Sequence, residues 1–190
     1  MKTKLLSASM IILVVVISIL IMIVPTFFTK GISRVALKKE VDLPLILNDD
    51  KDVKLLFFGY SGCTDICTPR LQSLNTFFET LDEDIKQKVG VEFLDISVPS
   101  DSELPSRFAE FFNPNFKGIY LESNLIREYT KLFDVYFAQS LMETTEYDHT
   151  VNIYIVKKSQ NTKELRYVYN SYPYDFKQIN SDIRGLLNER

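Results

Sequence analysis

Histidine and cysteine are scarce in this chain of 190 residues: it has one histidine, His149, and two cysteines, Cys63 and Cys67. Two cysteines exclude a disulfide-rich secreted scaffold, in which several bridges staple a small core. They also confine any thiol or soft-metal chemistry to a single pair. Basic residues are not in excess. With a net charge of −3 the chain lacks the basic stripe that nucleic-acid binding needs, so no nucleic-acid partner is expected. Internal repeats and low-complexity tracts are missing as well. Apolar residues, by contrast, make up 46% of the sequence. They are concentrated at the start, yet enough Phe, Tyr, Leu, Ile and Val remain for the core of one ordinary domain with an appendage.

The appendage is the run from Leu5 to Val24, which carries no charge. As a helix it would be about 30 Å long, the thickness of a bilayer core. It is apolar on every face, unlike an amphipathic surface helix. Pro25-Thr26-Phe27-Phe28 after it is a poor cleavage site, and no cysteine follows that could be lipidated. Residues 1–26 therefore read as an uncleaved transmembrane anchor and residues 27–40 as a basic juxtamembrane linker. Lys2 and Lys4 precede the run, while Lys30, Arg34, Lys38 and Lys39 follow it, so local charge does not orient the anchor. The expected location is a bacterial inner membrane, with residues 41–190 as a domain on the periplasmic side, where the chemistry below belongs.

From Val41 onward, strand and helix patterns alternate. Val53–Tyr60 (VKLLFFGY) and Val91–Val98 (VEFLDISV) read as buried strands. Apolar residues at three- and four-residue spacing predict helices from Cys67 to about Lys88, over Leu104–Phe112, from Ser123 to about Phe133, and over Asp175–Asn188. Lys117–Leu121 reads as a strand or a connection. Thr150–Lys157 and Glu164–Asn170 read as a hairpin turning at Ser159–Thr162. This order implies an α/β fold whose sheet is part parallel, with an antiparallel edge.

Cys63 and Cys67 fall where the first strand gives way to a helix, the end of an α/β sheet at which chemistry is usually placed. Free N–H groups and the dipole of that helix favour thiolate. Residues four apart share a helix face, so the two sulfurs can chelate one ion or pair with each other. A plain staple is the competing reading. Closing a loop of five residues contributes about 2 kcal/mol, against about 3 kcal/mol for fifteen, so a staple here does little for the fold. Two inert buried cysteines are a further alternative, against which the Gly59-Tyr60-Ser61-Gly62 surroundings predict a reactive, exposed pair. Spacing alone leaves His149 open, as a surface residue or as a ligand folded back over the thiols.

The stretch from Phe57 to Cys67 (FFGYSGCTDIC), with Asp148-His149-Thr150 ahead of a strand, resembles the Sco/SenC family over residues 40–190. The resemblance implies a thioredoxin-like fold, a central mixed sheet flanked by helices, behind an N-terminal transmembrane helix. It implies copper, held by Cys63, Cys67 and His149. It also implies assembly of the copper centre of cytochrome c oxidase, with the copper-containing subunit or another copper or thiol protein as partner. Thr64 and Thr68 stand where the family has proline after each cysteine, and Val98-Pro99-Ser100-Asp101 lacks the family's leading aspartate, so the chain resembles a divergent member. Two thiolates and an imidazole suit copper, and three donors are one short of a structural zinc site. Asp65 and Asp148 are candidates to orient His149, or else solvated loop charges, and Met142 is a candidate weak ligand or a plain loop side chain. The alternative activity is thiol–disulfide oxidoreductase chemistry, in which Cys63 and Cys67 are the redox-active, catalytic pair without metal and His149 handles protons.

Overall fold

The structure is a computed structural model that describes residues 13–19, 33–41, 50–97, 101–140, 147–159 and 162–189. The chain divides into two units, residues 1–33 and residues 34–190. In the first unit, residues 13–19 are helical, and no helix among the described residues is long and apolar enough to cross a membrane. The rest of the segment 1–26, read above as an anchor, lies outside the described residues, as does Met142.

The second unit is built on a six-stranded sheet. Strand β2 (Val53–Gly59) lies at its centre, parallel to β3 (Val89–Asp95), which is parallel in turn to β4 (Phe116–Tyr120). On its other side β2 pairs antiparallel with β7 (Ile153–Lys158), β7 with β8 (Lys163–Tyr169), and β8 with β1 (Arg34–Glu40). The order is β1-β8-β7-β2-β3-β4, the mixed sheet expected from the alternating pattern. A separate ribbon pairs β5 (Phe137–Gln139) with β6 (Tyr147–His149).

Burial follows from β2. Every one of its residues is buried, and a strand sends alternate side chains to opposite faces. Val53, Leu55 and Phe57 join a core with α1 (Cys67–Glu79), α3 (Leu104–Phe112) and α5 (Phe176–Asn188). Leu56 and Phe58 join a second core with Ile126, Tyr129 and Phe133 of α4 (Ser123–Phe133). Helices thus cover both faces of the sheet. Parallel neighbours need crossovers: α1 and the short α2 (Glu83–Lys86) link β2 to β3, and α3 links β3 to β4.

Several elements differ from the sequence reading. Arg34–Glu40, within the stretch read as a linker, form β1. Arg34 fastens this strand by donating from Nε (2.5 Å) and Nη2 (2.8 Å) to Asp182 of α5, which is only 7% exposed. The helix expected from Cys67 to about Lys88 stops at Glu79, because Thr80 turns its N–H and hydroxyl onto the Phe77 carbonyl and Asp82 is extended. The polar stretch before β7 holds the β5–β6 ribbon, and β7 itself begins at Ile153 rather than Thr150.

Candidate metal centre

The topology brings His149 to the cysteines. In register, Phe57 of β2 faces Ile153 of β7. Because the pair is antiparallel, the start of β7 lies beside the end of β2, and the residues just before β7 arrive where β2 passes into α1. Thr150 N–H bonds the Tyr136 carbonyl at 2.9 Å, and the Thr150 hydroxyl receives Tyr136 N–H at 2.9 Å. His149 is thereby held against the thiols. Among the described residues, Cys63, Cys67 and His149 form the one group of three or more potential metal ligands, their donor atoms all within 4.8 Å of one another.

The local backbone places each sulfur. After Gly59 the chain leaves the sheet, and Gly62 adopts φ +91°, a conformation that favours glycine. Cys63 N–H then closes a turn onto the Tyr60 carbonyl at 3.2 Å. The N-cap of α1, Ile66, offers no side-chain acceptor. The free Cys67 N–H points instead at Cys63 Sγ, 3.3 Å away, so the thiol sulfur caps the helix. Thr68 secures the turn by bonding the Cys63 carbonyl through both N–H (3.3 Å) and hydroxyl (2.9 Å).

The two thiols are electrostatically unequal. The Cys67 thiol donates to Cys63, which holds Cys63 well below the usual thiol range; the Cys67 and Ile66 N–H groups act in the same sense, and burial opposes them. Cys67 is pushed far up by that same bond and by burial, against which Arg70, one turn along α1, has only a small effect. The bond between the two sulfurs therefore favours the thiolate form at Cys63 and the thiol form at Cys67.

His149 Nδ1 lies 3.0 Å from the Thr150 carbonyl. A carbonyl only accepts, so Nδ1 carries the proton, and Nε2 turns its lone pair toward Cys67 Sγ at 3.5 Å. Tyr60 packs edge-on against the imidazole, with ring centroids 5.9 Å apart.

Structure and sequence reading agree on the grouping of Cys63, Cys67 and His149 and disagree on details around it. The cysteines are free, but the pair is not exposed: Cys63 is 4% and Cys67 0% accessible, because both sulfurs pack into the core on the α1 side of the sheet. Neither aspartate orients His149. Asp65 accepts from the exposed Thr64 hydroxyl, Asp148 points outward on β6, and the Thr150 carbonyl does the orienting. Two residues that shape the site went unread. A Cβ on Gly59 would lie 2.9 Å from Cys67 Sγ, so glycine makes room for that sulfur. Asp95 is buried at the end of β3, and its only signal in the sequence was an acid inside an apolar strand.

The donor set fits a soft ion. Zinc, as a first-row reference, sits about 2.3 Å from sulfur and about 2.0 Å from nitrogen, which separates two sulfurs by at most about 4.6 Å. The three donor atoms, all within 4.8 Å of one another, stand close to that spacing. Three of them leave one side open, so an ion can be passed on by exchange of ligands.

Comparison with known proteins identifies the family and the fold. The SCO1/SenC family model matches residues 50–187. The SCO2-like protein of Rickettsia conorii is 26% identical over 134 residues, which cover 65% of this chain and 63% of the length of that relative. The solution structure of apo Sco1 from Thermus thermophilus superposes with a TM-score of 0.62 at 24% identity, covering 83% of this chain and 95% of that one. Arabidopsis thaliana ScoI, solved with copper bound, gives a TM-score of 0.59 at 20% identity, covering 74% and 86%. With a mixed sheet flanked by helices and a Cys-Cys-His cluster at the end of its parallel strands, the chain belongs to the SCO1/SenC family.

Proposed function

We propose that this protein is a membrane-anchored copper metallochaperone that assists assembly of the copper centre of cytochrome c oxidase. The observation that carries the reading is the cluster itself: two thiols and an imidazole within 4.8 Å, with Nε2 free to ligate because Nδ1 is held by Thr150. Copper is the cargo. Thiolates select Cu(I), and imidazole accepts either oxidation state. The Arabidopsis and yeast Sco proteins have been solved with copper bound, which supports the choice of ion. Binding displaces the proton that Cys67 shares with Cys63 and leaves both sulfurs as ligands. The acceptor is the copper-containing oxidase subunit, or another copper or thiol protein, which takes the ion by ligand exchange from the open side. The uncharged run Leu5–Val24 anchors the chain in a bacterial inner membrane, with the copper site on the periplasmic side.

The test is titration of the reduced full-length chain in detergent with Cu(I), in competition with a chromophoric chelator. One ion per chain is expected, with weaker binding after His149→Ala. Absence of stoichiometric binding would overturn the proposal. If His149→Ala bound as tightly as the parent, the imidazole would have no part in holding the ion.

A further inference from the structure

Ser61 lies two residues before Cys63, in the turn that leaves β2. Its partner in the fold is Asp95, the last residue of β3. Asp95 is fully buried, which is costly for a carboxylate unless hydrogen bonds satisfy it. Both of its oxygens are satisfied. Oδ2 accepts Ser61 N–H at 2.8 Å and the Ser61 hydroxyl. Oδ1 accepts Ser97 N–H at 2.8 Å and the Ser97 hydroxyl at 2.6 Å. The backbone beneath is fixed too: Asp95 is paired with Gly59, and Ile96 N–H bonds the Gly59 carbonyl at 2.9 Å. One buried carboxyl group thus joins the loop that carries Cys63 to β3, an interior strand paired on both sides.

The geometry points to Asp95 as a positioning residue of the metal centre, one that fixes Cys63 through Ser61 and so sets the affinity for the ion. The inference rests on the copper-binding reading above. Asp95 touches neither sulfur nor imidazole and acts along the chain. Ser61 is held, Gly62 makes the left-handed turn, and Cys63 closes onto the Tyr60 carbonyl. On its far side Cys63 is fastened to α1 by Thr68 and by Cys67 N–H. Without Asp95 the turn is fastened from the α1 side alone, and Cys63 Sγ can drift from the other two donors.

Asp95→Asn is the sharpest perturbation. The shape is kept, but an NH2 replaces one oxygen. That group faces a backbone N–H that can only donate, so the Ser61 or the Ser97 side must break. Cu(I) affinity is expected to fall about 10-fold, the scale found when a metal ligand loses its support. Ser61→Ala, which keeps the backbone bond and loses only the hydroxyl, is expected to lower affinity less and serves if Asp95→Asn does not fold. A second readout needs no metal. Amide hydrogen exchange of the reduced chain is expected to quicken at Cys63 while Phe93, in the middle of β3, keeps its protection. A merely structural role would quicken both together. Unchanged affinity in both variants, or equal loosening of Cys63 and Phe93, overturns the inference. A parent chain that binds no Cu(I) overturns the copper reading instead, and the exchange comparison then decides whether Asp95 places Cys63.

Discussion

Replacing Gly59 by alanine puts a methyl group into space that Cys67 Sγ now occupies. The added Cβ would lie 2.9 Å from that sulfur, 2.9 Å from Phe93 Cε2 and 3.4 Å from Phe57 Cε1. Ordinary carbon–carbon contact begins at about 3.5 Å, and sulfur is larger than carbon, so the overlap is at least about 0.6 Å. The backbone cannot yield easily, because Gly59 is paired with Asp95 and its carbonyl takes Ile96 N–H. Nor can Phe93, which is fully buried and packed between Phe57 and Phe108. The thiol must give way. Overpacking of this kind costs about 1–3 kcal/mol, which for a chain of this size lowers Tm by about 2–12 °C. Displacing one of three donors is expected to weaken Cu(I) binding about 10- to 100-fold, as losses around metal ligands do. Thermal unfolding followed by circular dichroism and chelator competition on the same preparation measure both effects. Parent affinity in a Gly59→Ala protein would refute the reasoning, whatever happened to Tm, because it would mean that the sulfur had not been moved off its ligand position.

Two further predictions concern charge. In the reduced, metal-free chain, the ultraviolet absorbance of thiolate is expected to report one ionised cysteine well below the ordinary thiol pKa of about 8.5. Cys67→Ala should move that titration upward, since the Cys67 thiol is the main cause of the Cys63 shift; an unmoved midpoint would contradict the assignment. Lowering the Cys63 pKa on folding means that the unfolded chain binds more protons in that window. Stability from Cys63 therefore grows as pH rises, is complete above about 8.5 and is lost in acid, while Cys67, shifted the other way, begins to oppose folding above about 8.5. Denaturant midpoints against pH, compared with a Cys63→Ala/Cys67→Ala chain, measure both limbs. Arg34→Met removes the clamp between β1 and α5. Arg34 is 30% exposed, so the expected loss is moderate, about 1–3 kcal/mol, with Cu(I) affinity unchanged. A shift in affinity would mean that the clamp reaches the metal centre.

Much of this fold was legible because its signals are local. A short, mostly apolar run such as VKLLFFG reads as a strand buried on both faces, and the spacing of Ile126, Tyr129 and Phe133 on α4, or of Ile179, Ile183 and Leu186 on α5, reads as a helix face. Strand β1 was not legible, because all seven of its residues are exposed or half-exposed, four of them charged, and their order follows from pairing with β8 and from the Arg34–Asp182 bond, both far away in sequence. The ribbon of three-residue strands was too short to show a period. At the site, Cys63 and Cys67 could be read because helical spacing joins them. His149 could be placed only by resemblance, since what carries it to the thiols is the antiparallel register of β7 on β2. Its tautomer was hidden for a related reason: the partner is a backbone carbonyl, which no residue type announces. The burial of both sulfurs was misread because glycine and serine in the loop suggested solvent, whereas that loop is pinned inward by Asp95.

X-ray absorption at the copper edge tests the central claim most directly. Loaded with one equivalent of Cu(I), the parent chain is expected to show two sulfur neighbours and one nitrogen neighbour, from Cys63, Cys67 and His149, and His149→Ala is expected to lose the nitrogen while keeping both sulfurs. A parent spectrum with no nitrogen neighbour, or one left unchanged by His149→Ala, would contradict the account.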